Sequence, residues 1–301
     1  MLNKKVTIIL VCYNQVSYLR DALNSALNQT YNNIQLIVAD DHSTDGSAEL
    51  LQQLSEENGF VFLTSEKNAG LNNNILRVLP LVKGEYVSIL ASDDYIALDK
   101  IENQVTFLNQ TGNDGVYATG YTVKGAEKKL IKLNSVFTSN DQVKIFDYVC
   151  RFDWGAPLLQ SGLFTQALIS DLIPLWKDYK SDDWAFLIKA FDNYKIGFLD
   201  KPFFYYRLHG DNYHQRYWVT YPMRVDIASR LVPEKYRLKT LSNIMLSQGT
   251  YLLNDKKIFA AIKFFISSLI FNFSFYSLAI MAKASVSFLN NIFAGKPGKN
   301  Q

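Results

Sequence analysis

Four short runs hold the residues that could do chemistry. The first is VADDHSTDGS at residues 38–47, where an apolar stretch ends in Asp40 and Asp41, then a turn. Such acids can serve as turn and capping residues. An ionised carboxylate is also a pure acceptor, suited to a base or a ribose hydroxyl. The second is SILASDDYI at residues 88–96, where another apolar stretch ends in Ser92, Asp93 and Asp94. It reads as a surface turn or as a cation site. Two adjacent carboxylates ask for a hard cation such as Mg²⁺ or Mn²⁺, which could bridge them to diphosphate oxygens. The third is KSDDWAFLIKAF at residues 180–191, where Asp182 and Asp183 open a helix. Capping and the helix macrodipole explain acids there, and Asp183 could equally act as a general base for a hydroxyl. The fourth is FFYYRLHGDN at residues 203–212, an aromatic run that delivers Arg207 and His209 to its end. Arg207 could bind phosphate, and His209 could bind phosphate or complete a metal shell.

These runs need a frame, and the first half of the chain supplies one. Val6–Val11, Ile34–Ala39, Phe60–Leu63 and Tyr86–Leu90 read as buried strands. Between them lie helical patterns at Tyr18–Leu27, at Asp45–Leu54 with Ser43 or Asp45 as N-cap, and around Ile75–Leu81, broken by Pro80. Alternating strands and helices predict an α/β fold, a mostly parallel central sheet with helices on both faces. Ligands of such sheets bind beyond the carboxyl ends of the strands. That singles out Tyr13-Asn14, Asp40-Asp41 and Ser92-Asp93-Asp94 as candidate substrate and metal residues. Farther on, Gly115–Val123 and Lys129–Leu133 read as strands, Asp141–Cys150 and Asp182–Phe191 as helices, and Phe203–Arg207 as a short strand. From about Tyr221 the pattern is helical.

Charge is unevenly spread. The formal net charge is only +3, and nothing in it asks for nucleic acid. From Arg230 onward, however, ten Lys or Arg face two acids, Glu234 and Asp255. A basic, apolar tail suits an anionic surface such as the inner face of a membrane. Ile258–Met281 is almost wholly apolar but interrupted by Lys263 and Asn272. It reads as two amphipathic helices, Asp255–Phe271 and Ser274–Phe293, that pack on the body or lie on a membrane face. Cys12 and Cys150 read as buried reduced thiols. The opening MLNKKVTIILVCYN has too short an apolar run for a signal peptide and reads as a first strand, which predicts a cytoplasmic protein, peripheral at most on the cell membrane.

Taken in order, the four runs resemble the inverting family 2 glycosyltransferases of the GT-A fold over roughly residues 5–215. The stretch TIILVCYNQVSYLRDALNSALNQTYNNIQLIVADDHSTDGS is similar to the nucleotide-binding start of that family, ASDDY falls at its DxD-type metal motif, and SDDW at its helix-opening acidic pair. The resemblance implies a nucleotide-diphospho-sugar transferase domain over 1–220, split into a nucleotide-binding half (1–98) and an acceptor half (99–220), with a helical extension over 221–301. It implies that Val11 and Tyr13 line a base pocket, Asp41 holds uracil or ribose, and Asp93 ligates Mn²⁺ or Mg²⁺. Asp94 and His209 would help hold the metal. Asp183 would be the base, and Asp182 stands where relatives carry Glu. The donor would be a nucleotide-sugar, UDP-linked, and the acceptor a saccharide, free or lipid-linked, in O-antigen or capsule synthesis. Two departures stand out: Ala91 replaces the first acid of the metal motif, and Ile75-Leu76 replaces an Arg-Asn pair, leaving Arg77 off the matching position. Two other readings are a non-catalytic nucleotide-sugar-binding scaffold, which Ala91 would permit, and a sugar nucleotidyltransferase. The latter would carry a glycine-rich phosphate loop where this chain has CYNQVSY.

Overall fold

A computed structural model describes residues 3–139, 141–152, 155–175, 183–209 and 217–293. The chain forms two compact units, residues 1–146 with 154–210 and residues 147–153 with 211–301.

In the first unit, β1 (Val6–Cys12), α1 (Val16–Leu27), β2 (Ile34–Asp40), α2 (Ser47–Asn58), β3 (Val61–Thr64), α3 (Leu71–Val78) and β4 (Tyr86–Ala91) follow one another. All seven β1 residues are buried, as a continuous apolar run covered on both faces requires. Strands β3, β2, β1 and β4 lie in that order and pair parallel. Val6, Ile8, Leu10 and Cys12 pack in one core with Leu19, Ala22, Leu23 and Ala26 of α1.

The chain continues through β5 (Tyr95–Ile96), α4 (Lys100–Thr111), β6 (Gly115–Lys124), β7 (Glu127–Ile131), α5 (Gln142–Cys150), β8 (Leu163–Thr165), α6 (Gln166–Leu172), α7 (Asp183–Asn193) and β9 (Ile196–Arg207). The sheet extends in the order β4-β8-β6-β9-β5, with β7 also on β6. It is less parallel than the sequence suggests, because β8 enters antiparallel between β4 and β6. Helix α4 went unread, although Ile101, Val105 and Leu108 have helical spacing and are buried. Strand β9 is longer than expected, and its register against β6 shifts around Thr119, opposite Pro202.

The second unit is helical: α8 (Tyr217–Arg230), α9 (Glu234–Asn254), α10 (Ile258–Phe271) and α11 (Phe275–Phe293). The break read at Asn272–Ser274 separates α10 from α11 as expected. A Cβ on Gly249 would lie 2.5 Å from the Phe265 ring, so glycine there lets α10 press closely on α9. Ser242 donates to the Ser268 carbonyl at 2.8 Å across the same helix pair. Both cysteines are free and buried.

Candidate active site

Strand register sets the site. Cys12 lies opposite Asp40, and Val11 opposite Ala91, so β1, β2 and β4 end level with one another. The strand order reverses at β1, and loops at such a switch point are where an open α/β sheet binds its ligand. Tyr13 leaves this edge 47% exposed, while Val11 beside it is buried.

The loops after β1 and β2 are laced together. The Asn14 backbone amide donates to Ser43 Oγ at 2.8 Å, and the Thr44 amide donates to Asn14 Oδ1 at 2.8 Å. The Val16 amide donates to Asp45 at 2.9 Å. Asn14 (φ 52°) and His42 (φ 64°) sit in the left-handed region, which Asn and His adopt more readily than most residues. The N-cap position of α2 falls on Gly46, and Asp45 reaches past it to accept from the Ser47 amide. Neither Ser43 nor Asp45 is therefore the N-cap residue that the sequence suggests.

Asp40 and Asp41 are both buried, and each of their carboxylate oxygens accepts at least one hydrogen bond. The Asp40 carboxylate accepts from the amide and hydroxyl of Ser43 and from the Thr64 hydroxyl. Asp41 accepts the Ala69 and Gly70 amides at 2.8 Å each, a fork that ties β2 to the loop before α3. Arg77 donates to the carbonyls of Thr64 and Asp40 and to Asn74. It serves the backbone of β2 and β3. Ser92 is buried, with its hydroxyl on Cys12 and its amide on the Val11 carbonyl. Burial pushes the Cys12 thiol up to about 11, so it is no nucleophile at neutral pH.

Beyond β4 the two carboxylates part. Asp94 is buried and turns inward, where one oxygen accepts the Arg207 amide at 2.8 Å. Its other oxygen is buried with no hydrogen-bond partner among the described residues. Burial, and then the neighbouring charge of Asp93, hold its carboxyl well above the usual carboxylate range. Asp93 turns outward and meets His209 Nε2 at 2.9 Å, with both side chains mostly buried. A carboxylate oxygen and an imidazole nitrogen in contact form a donor pair that a divalent cation can share. Among the described residues no group of three or more His, Cys, Asp or Glu side chains converges on one point. A cation here would complete its shell with diphosphate oxygens and water.

Three residues that the sequence reading missed support this pair. The Arg207 guanidinium lies over the rings of Tyr18 at 5.2 Å and Tyr95 at 4.7 Å. It donates to the Asp93 carbonyl at 3.1 Å and to the Asp21 carboxylate at 2.5 Å. Tyr18 also stacks on His209 at 5.3 Å. Tyr18 and Asp21 are three apart on α1, a spacing that puts them on one helix face directly after β1 and was legible. Tyr95 stacks on Tyr205 opposite it, at 4.4 Å. Asp183 is half-buried at the start of α7, and its charge adds to burial in raising the Tyr117 hydroxyl well above its ordinary range. Asp182 lies outside the described residues.

The family model for glycosyl transferase family 2 matches residues 7–162, just over half of the chain. The chain belongs to glycosyl transferase family 2. An uncharacterized glycosyltransferase of Rickettsia felis is 32% identical over 197 residues, 62% of this chain and 31% of its own length. Glycosyltransferase GlyA of Streptococcus pneumoniae is 28% identical over 224 residues, 69% of this chain and 31% of its own. TuaG of Bacillus subtilis, a putative teichuronic acid biosynthesis glycosyltransferase, is 31% identical over 146 residues, 46% of this chain and 57% of its own. The chain thus spans about a third of the length of the first two relatives. Among solved structures, S. aureus TarS 1–349 in complex with UDP-GlcNAc superposes with a TM-score of 0.62 at 17% identity, over 97% of this chain and 92% of that one. The mannosyltransferase PcManGT from Pyrobaculum calidifontis, in complex with GDP-Man and Mn²⁺, gives 0.60 at 15% identity, over 97% and 82%. The family 2 chain has the GT-A fold expected from its sequence.

Proposed function

We propose that this family 2 chain is an inverting glycosyltransferase that moves a sugar from a UDP-linked donor to a saccharide acceptor. The observation that carries the reading is the Asp93–His209 pair at the carboxyl edge of the sheet, beside the switch point at β1. In it, Asp93 and His209 would hold Mn²⁺ or Mg²⁺, and the imidazole nitrogen favours Mn²⁺. A cation bound there would neutralise the departing nucleotide diphosphate. Asp94 is not counted among the ligands, because its carboxylate is turned into the protein. Arg207 would act by fixing Asp93 and His209, its guanidinium being held by Asp21 and two tyrosines. Tyr13 and Val11 would meet the base, with Asp41 and the Asn14 loop framing the pocket. Asp183 would take the proton from the attacking acceptor hydroxyl, which enters opposite the diphosphate and inverts the anomeric carbon.

Residues 1–220 would form the transferase domain and 221–301 its helical extension. The relationship to TuaG favours an acceptor in a cell-surface polysaccharide such as O-antigen or capsule, carried on a lipid at the inner face of the membrane. A panel of UDP-sugars tests the reading: one donor should release UDP in a metal-dependent way, with an inverted product by NMR. An Asp183→Asn variant with normal turnover would remove Asp183 from the mechanism.

A further inference from the structure

We propose that the outer face of α10 docks on an anionic lipid surface. This deepens, and rests on, the membrane part of the reading above. Ile258, Ile262, Ile266 and Ile270 recur every four residues, which puts them in one stripe along the helix. All four are exposed, Ile270 at 77%, and Phe259 beside them at 86%. The fold does not need them, because α10 already packs inward through Ala261, Phe264 and Phe265. Contiguous exposed apolar side chains of this size mark a contact surface.

Charge selects the occupant. Lys256, Lys257 and Lys263 are exposed at the start of α10 and along it, and no Asp or Glu follows Asp255 in the sequence. A second copy docked through the same face would set three lysines against three, with Asp255 the single acid in residues 255–301 to offset them. Lysines at a helix N-terminus also oppose the macrodipole, which an external anion would relieve. A layer of anionic headgroups over hydrocarbon meets the lysines and the isoleucines together. The stripe covers about 18 Å at the rise of an α-helix, far short of the roughly 30 Å of a hydrocarbon core. No helix among the described residues is long and apolar enough to cross a membrane. The helix would therefore lie in the interface.

Co-sedimentation of the full chain with vesicles tests this. Vesicles one-third phosphatidylglycerol should bind the protein, and pure phosphatidylcholine should bind it far less. Binding should weaken with salt. I262E/I266E should lose at least about tenfold in binding, as two buried apolar contacts would, with an unchanged circular-dichroism melt. K256Q/K257Q/K263Q should lose the preference for anionic vesicles. Equal sedimentation of I262E/I266E and wild type would overturn the proposal, as would a dimer in sedimentation velocity that the same substitutions abolish. UDP release from a soluble donor should be the same in all three proteins. Wild-type protein that releases UDP but does not bind anionic vesicles defeats the docking surface alone, whereas wild-type protein that binds vesicles but releases no UDP defeats the transferase reading alone.

Discussion

Asp40-Asp41 and Asp93-Asp94 are the same dipeptide in the same setting, an apolar strand that ends at the carboxyl edge of one sheet. Around the first pair, one backbone amide and two hydroxyls converge on the Asp40 carboxylate, and two backbone amides on that of Asp41. Around the second, Asp94 receives one backbone amide, while Asp93 points out to an imidazole. The number of N–H donors within reach decides whether an acid serves the fold or stays available for a ligand. A carboxylate that already accepts several charge-assisted bonds has little to offer a cation.

The difference can be broken at its active end first. Asp93→Ala should lower UDP release by about a thousandfold, about 4 kcal/mol of transition-state stabilisation, while the melting temperature hardly moves. Asp40→Ala should do the reverse. It strips the acceptor from the Ser43 and Thr64 donors at a fully buried position and should destabilise the fold by about 3 kcal/mol. Denaturant melts of both variants would show whether the two roles separate.

The strands also differ beneath their acids. Under β4, Lys100 is fully buried and donates to Ser88 Oγ and the Gly162 carbonyl. Burial pulls its ammonium down from 10.5 to about 7. Below pH 7 it is protonated in the folded and the unfolded chain, and folding must bury the charge. Between 7 and 10.5 the unfolded chain holds a proton that the folded one lacks, so wild-type stability rises with pH. Lys100→Met should therefore stabilise by about 2 kcal/mol at pH 6, net of the two lost hydrogen bonds, and the gain should shrink toward pH 10. Urea melts at several pH values would measure it. The smallest effect is expected at Asp21→Asn, which loosens Arg207 without touching Asp93. It should weaken Mn²⁺ binding by under about tenfold, as removal of an exposed outer partner does.

Much of this was legible in the sequence. Apolar runs pointed to β1, β2 and β4, and the motifs after β4 and β9 singled out Asp93 and His209, which the fold brings into contact. Strand β8 was not legible, because three residues carry no periodicity and their pairing depends on β4 and β6, far away in the chain. The opposite orientations of Asp93 and Asp94 were equally hidden, since they depend on where the Arg207 amide arrives, 113 residues later. Tyr18 and Asp21 were readable as one helix face, but only the fold shows that Arg207 lies against it.

The central claim is that Asp93 and His209 hold a divalent cation mainly when a nucleotide diphosphate completes the shell. Titration calorimetry of Mn²⁺ into the protein, with and without UDP, tests it most directly. The account predicts weak binding alone, strong binding with UDP, and loss of that coupling in Asp93→Ala. Binding of Mn²⁺ and UDP by Asp93→Ala as tight as by wild type would contradict it.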